Sequence, residues 1–312
     1  MSGTAPPWIR RERLMQALWM ILASFFFATM AVGIKIASTS FNTVELIFYR
    51  GLVSIVFMAI VVWSRRGTLR TPVPVMHAWR ALVGVLALGA WFYAIAHLPL
   101  ATAMTLNYMS GIWIAAFIVG GAMFYGQAGI AQRQGPLLVT VLSGFVGVVL
   151  MLRPTIDQGQ LFAGLIGLFS GIATALAYLQ VTALGRVGEP EDRTVFYFSL
   201  ASAIAGAAGL LFTGFSPWEQ VSWQAAAWLV PIGLLASLGQ WCMTRAYNQG
   251  ATLVVANLQY SGIVFAAIYS LVLFGDQIPI IGWLGMVLVV ASGIAATALR
   301  TRVLPDTPAE EH

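Results

Sequence analysis

Residues 110–116 read Ser-Gly-Ile-Trp-Ile-Ala-Ala, and residues 261–267 read Ser-Gly-Ile-Val-Phe-Ala-Ala. Both lie inside long apolar runs, so the shared pattern Ser-Gly-Ile-x-x-Ala-Ala marks equivalent points of two segments, 151 positions apart. Two further pairs agree with that offset. Phe48, Tyr49, Leu52 and Ser54 match Phe196, Tyr197, Leu200 and Ser202 at 148, and Ser143-Gly144 matches Ser292-Gly293 at 149. A single match means little in a chain rich in small residues, but three at nearly one spacing point to an internal duplication.

Working outward, the 312 residues are 59% hydrophobic and 9% charged. A soluble domain carries about 25% charge, so this chain cannot coat a water-facing surface. At ~20 apolar residues per crossing, hydropathy places ten spans at 14–37, 43–63, 78–96, 101–124, 135–152, 160–185, 194–214, 224–247, 251–274 and 279–299. Turn chemistry separates them: Arg65-Arg66-Gly67, Leu98-Pro99, Arg153-Pro154, Gly188-Glu189-Pro190, Ser216-Pro217 and Gly275-Asp276. The first run exceeds the 7–15 residues of a signal-peptide core and reads as an uncleaved helix. Residues 301–312 read as a disordered tail. The single cysteine, Cys242, forbids an intrachain disulfide and any cysteine-based metal site.

The charge of +5 and pI near 9.7 do not imply nucleic acid, because the basic residues sit between apolar runs rather than in an aromatic-laced patch. They report orientation instead. With both termini in the cytoplasm, Arg10, Arg11, Arg13, Arg65, Arg66, Arg70, Arg80, Arg133, Arg186, Arg193, Arg245, Arg300 and Arg302 fall inside and only Arg153 outside. Lys35 and Arg50 remain within spans. A repeat of five crossings is odd, so its second copy enters the bilayer from the opposite side. The expected fold is therefore an all-α integral membrane protein with ten transmembrane helices. They form two inverted five-helix repeats, 14–152 and 160–300, with both termini cytoplasmic. Inverted halves have two nearly equivalent arrangements, the physical basis of alternating access.

The Leu-Pro-Leu-Ala-Thr-Ala turn at 98–103 and Gly250-Ala251-Thr252, each leading into an equivalent helix, resemble the EamA-type carriers of the drug/metabolite transporter superfamily. The resemblance covers about 15–300. It implies a transporter of amino acids, vitamins or nucleoside-like cofactors across a bacterial inner membrane. By that likeness the third, fourth, eighth and ninth spans line a central cavity, helped by the first and sixth, and the fifth and tenth pack outside. Residues 70–103, with His77, Arg80 and Phe92-Tyr93-Ala94, look like the branch of S-adenosylmethionine and riboflavin carriers.

Polar side chains are costly in a bilayer, which makes them candidates for a site. Asn257, Tyr260 and Ser261 share one face of the ninth span, and Asn107 and Ser110 a face of the fourth, with Trp113 beside it. Ser170, Thr174 and Tyr178 form a stripe at successive fours on the sixth. Gln240 and Trp241, Trp91 and Tyr93, and Thr29 would complete a pocket whose aromatic walls suit a planar or cationic solute. The plainer role, interhelical hydrogen bonds and close packing, stays open for each.

Arg50 lies deep in the second span, where it either attracts a substrate carboxylate or phosphate or holds the first hairpin together through a salt bridge. Lys35 and Glu45, near outer span ends, are candidates for coupling or an outer gate, or for pairing with each other. Simple facilitated exchange is the alternative to coupling. No metal or cofactor is expected. An integral-membrane enzyme is the main rival, but Gly-x-Ser-x-Gly, His-Glu-x-x-His and paired-carboxylate motifs are all missing. A channel or scaffold would fit the composition without predicting the repeat. The expected partners are a small-molecule substrate and the bilayer, with the protein a monomer or homodimer.

Overall fold

A computed structural model describes residues 7–124, 158–249 and 258–303, together with 139, 142–144, 146, 147, 150 and 255. All its regular elements are helices. They are α1 (Pro7–Ala37), α2 (Thr43–Ser64), α3 (Pro74–His97), α4 (Leu100–Tyr108), α5 (Ser110–Phe124), α6 (Gln158–Arg186), α7 (Glu191–Thr213), α8 (Trp223–Gln249), α9 (Ser261–Leu273) and α10 (Ile280–Val303). Among the described residues six helices are long and apolar enough to cross a bilayer, and α9 and the first part of α10, 280–292, are shorter apolar stretches. The chain is a multi-pass membrane protein.

Local chemistry sets the ends. Asn42 caps α2 by accepting from the Glu45 N–H at 3.0 Å, while Glu45 returns to the Asn42 N–H at 2.8 Å, a reciprocal capping box. Pro74 opens α3, and Pro99 and Pro190 precede α4 and α7, because a missing N–H is harmless at a helix start. Gly214, at φ 69°, ends α7 where a side chain would be strained.

Three boundaries differ from the sequence expectation. The third helix starts at Pro74 rather than 78. The fourth span is not continuous: α4 stops at Tyr108, and α5 begins at Ser110 after a one-residue break. The chain remains helical through Val303, so 301–303 extend α10 rather than starting a tail; 304–312 lie outside the described residues. Most of the expected fifth span also lies outside them, as do 250–254, 256 and 257.

The break at Met109 has a counterpart before Ser261, where Gln259 and Tyr260 form a turn. Each break precedes the Ser-Gly of the repeated motif. A Cβ on Gly111 would lie 2.8 Å from the Tyr260 hydroxyl, and one on Gly262 would lie 2.4 Å from the Tyr108 ring. Each bare glycine thus receives the tyrosine that precedes the other motif.

Helix pairing is reciprocal. α1 packs along α8 and α3 along α6, α2 crosses α7, α1 touches α9 as α6 touches α4, and α2 meets α8 as α3 meets α7. At the α2–α7 crossing a Cβ on Gly51 would sit 2.6 Å from the Ala203 backbone nitrogen, and one on Gly206 would sit 2.7 Å from Phe48 backbone atoms. Those helices touch backbone to backbone, as small residues allow in membranes. The molecule has polar groups inside and apolar groups outside: Ser170, Ser202, Thr105 and Arg50 are buried while Leu211, Phe212 and Trp63 are exposed.

Candidate substrate-binding site

A cavity of about 40 Å³ lies where α1, α2, α3, α4, α6 and α8 converge. That is room for a few waters, so a metabolite enters only when the helices part. Its polar walls are Arg50, Arg80, Asn107, Thr174, Tyr178 and Gln240, with Trp91, Tyr108 and Phe27 as aromatic surface.

Asn107 sits in the last turn of α4 and donates from Nδ2 to Thr174 Oγ1 at 2.9 Å and Ser170 Oγ at 3.2 Å. Thr174 and Ser170 are four apart on α6, so one amide spans both. Arg80 lies about two turns into α3 and donates from Nη2 to Gln240 Oε1 at 3.4 Å. Its guanidinium folds back over Gly84, where a Cβ would lie 1.9 Å from Nη1. Arg50 and Arg80, 1% and 3% exposed, both stand over the Phe198 ring, at 5.2 and 4.2 Å from its centroid. Tyr178 packs on Tyr247 with centroids 5.3 Å apart.

The structure therefore brings Arg50, Trp91, Asn107, Thr174, Tyr178 and Gln240 to one cavity, with Ser170 behind Asn107. Ser110 and Tyr260 are buried but do not line it. Ser110 Oγ accepts from Gln259 Nε2 at 3.2 Å, and Gln259 Oε1 accepts from the Tyr247 hydroxyl at 3.4 Å. Besides Ser110, Ser170 and Tyr260, five expected residues do not line the cavity. Thr29 shares a hydrogen bond with the Tyr269 hydroxyl at 3.0 Å. Tyr93 stacks on His97, because a position two residues from Trp91 faces almost the opposite side of α3. Trp113 stacks on Phe117. Trp241 donates to Asp192 at 2.7 Å, and Ser261 bonds the Leu258 carbonyl at 2.7 Å. Asn257 lies outside the described residues. Arg80, Tyr108 and Gln259 were not anticipated.

Lys35 and Glu45 do not pair. Lys35 donates to the Leu98 carbonyl at 2.6 Å and stands 5.7 Å from the Phe274 centroid, at a separate recess of about 430 Å³ bordered by Ser38, Thr39, Ser222 and Gln224. Glu45, besides its capping role, accepts from the Ser216 N–H at 2.7 Å and the Ser216 hydroxyl at 2.6 Å. It ties the start of α2 to the segment after α7. At the opposite end of these helices Glu189 accepts from His77 Nε2 at 2.9 Å and from Arg193 Nη1 at 3.1 Å. Burial pushes the Glu189 carboxyl up, but hydrogen bonds from His77, Thr71 and Arg193 outweigh it and hold the group below the usual carboxylate range. Arg65 pairs with Asp192 at 3.1 Å, and Arg193 Nε bonds the Thr68 carbonyl at 3.1 Å.

A model of the EamA-like transporter family matches residues 14–119. The pseudopaline exporter CntI of Pseudomonas aeruginosa is 31% identical over 89% of this chain and 94% of its own. The chain belongs to the EamA-like transporter family. The riboflavin transporter of Rhizobium johnstonii is 26% identical over 89% of each chain, and the S-adenosylmethionine uptake transporter of Rickettsia bellii is 24% identical over 83% of this chain and 84% of its own. A solved crystal structure with 18% identity superposes at a TM-score of 0.63 over 93% of this chain and 99% of that one, so the two share a fold. Family and relatives together identify a transporter rather than an enzyme.

Proposed function

We propose that the protein is a secondary transporter that carries a small polar metabolite across the bacterial inner membrane by alternating access. It does so between two inverted five-helix halves, 14–152 and 160–300, with both termini cytoplasmic. The observation that carries this reading is the placement of a buried polar cavity where helices of the first half (α1, α2, α3, α4) meet helices of the second (α6, α8). Parting the halves on one face or the other would expose that cavity to one side at a time. The reciprocal pairing of α1 with α8 and α3 with α6 supports it, as do the two breaks before Ser110 and Ser261.

The two ends of the helices differ in chemistry. Arg65, Asp192, Glu189, Arg193 and His77 join the α2–α3 connection to the start of α7, and this basic end reads as cytoplasmic. The Lys35 recess lies at the opposite, outer end. The relatives' names include an exporter and an uptake transporter, so amino acids, flavins and nucleoside-like cofactors form the panel for cargo. Counterflow in liposomes containing the purified protein tests the reading. Saturable exchange of at least one radiolabelled metabolite is expected, and its absence across the panel overturns the assignment.

A further inference from the structure

We infer that the cargo presents an oxyanion, a carboxylate or phosphate group, to Arg50 and Arg80. The inference rests on the carrier reading above and names the chemistry its cavity selects. Two guanidiniums are buried beside one phenylalanine ring, and among the described residues neither has a carboxylate partner. Among the described residues these carboxylates have other partners: Glu45 has Asn42 and Ser216, Glu189 has His77 and Arg193, Asp192 has Arg65, and Asp276 has Ser270. Burying like charges together without a counterion is costly. Such a pair is accounted for when a ligand supplies the missing charge.

The unused hydrogen-bonding atoms point the same way. Nε and Nη1 of both arginines, Nε1 of Trp91 and the Tyr108 hydroxyl are buried with no partner among the described residues. All of them can donate, and all belong to residues lining the cavity. Two acceptors on this wall are already taken, Gln240 Oε1 by Arg80 and Thr174 Oγ1 by Asn107. A surface of spare donors with two positive charges selects an acceptor-rich anion, and guanidiniums match the planar fork of a carboxylate or the faces of a phosphate. A cationic head would be repelled, and a neutral amide would leave the charges uncompensated.

The test follows thermal unfolding of the purified protein with succinate, with inorganic phosphate, with the neutral isostere succinamide, and with chloride at matched ionic strength. Succinate or phosphate is expected to raise the midpoint saturably, the two arms separating carboxylate from phosphate preference, while succinamide and chloride leave it unmoved. Arg50→Gln and Arg80→Gln should weaken that binding ~tenfold or more and raise the midpoint without ligand, since like-charge crowding is relieved. Gly84→Ala, which displaces Arg80 while keeping both charges, should weaken binding as well, and Arg66→Gln in the exposed loop should not. Equal shifts from succinamide and succinate in the wild-type protein, or wild-type anion binding in both glutamine variants, overturn the inference; the first comparison needs no variant to fold. Counterflow separates the two readings. Exchange without preference for anions sinks the oxyanion site and leaves the carrier, whereas saturable anion binding without exchange of any cargo keeps the site and removes the carrier.

Discussion

Asn107 joins α4 to two hydroxyls of α6, and nothing else among the described residues reaches both. Asn107→Ala should therefore lower unfolding stability by about 1–3 kcal/mol, the cost of leaving buried polar groups unpaired, measured by thermal or denaturant unfolding in detergent. Glu45 gives the opposite lesson for function. Both of its oxygens are occupied by the Asn42 and Ser216 groups, which leaves no free carboxylate facing the cavity. Glu45→Gln should leave the pH profile of exchange as in the wild-type protein while losing about 1–2 kcal/mol of stability through the weakened cap; a changed pH profile in that variant would return Glu45 to the transport cycle. The stripe Ser170–Thr174–Tyr178 was legible because its spacing of four survives folding unchanged. Arg80 was not, since a span begun at 78 leaves it at the membrane edge, among the orienting arginines. Starting the helix at Pro74 moves it two turns inward. Tyr93 and Trp241 lie off the cavity for a simpler reason: Tyr93 is two positions from Trp91 and Trp241 one from Gln240, and helical rotation turns each away from the lining residue.

At the level of helices, the α2–α7 crossing depends on two missing side chains. Gly51→Ala and Gly206→Ala each force a methyl group onto backbone atoms that cannot swing aside, so each should cost about 1–3 kcal/mol by overpacking. Gly120→Ala meets nothing within 4 Å among the described residues and should be neutral or gain up to about 1 kcal/mol from helix propensity. Comparing the three melting curves checks the assignment. Hydropathy located these helices because a bilayer demands long apolar runs. It could not show the breaks at Met109 and before Ser261, because no proline marks them. Each break lies where a tyrosine from a distant segment meets a glycine, a tertiary contact with no local signature.

Across the whole molecule, the Glu189 cluster makes stability depend on pH with a definite sign. A carboxyl held below its ordinary value of 4.5 contributes stability above that value, and the contribution is lost as pH falls through the folded-state value. Glu189→Gln should lower the melting midpoint near neutrality and flatten its decline below about pH 4.5, read from melting curves across acid buffers. The duplication offers a second check. Ser143 and Ser292, 149 positions apart, hold their hydroxyls 3.0 Å from each other. In a Cys242→Ser background, Ser143→Cys with Ser292→Cys should crosslink on oxidation, since the two side chains already touch; separate thiols under oxidant would contradict the pairing. The offset matched these two serines in sequence but did not predict that they touch. The meeting of Arg50 and Arg80 was not legible, because they lie on different helices, α2 and α3, and no repeat offset links them.

The narrowness of the space beside Arg50 and Arg80 has a kinetic corollary. Where the binding-competent shape is the minor one, observed affinity is diluted by its population, so capture is slow and warms steeply with temperature. A compound bulky enough to wedge that gap apart would then be trapped, with a residence time set by the breathing of the helices rather than by its own polar contacts.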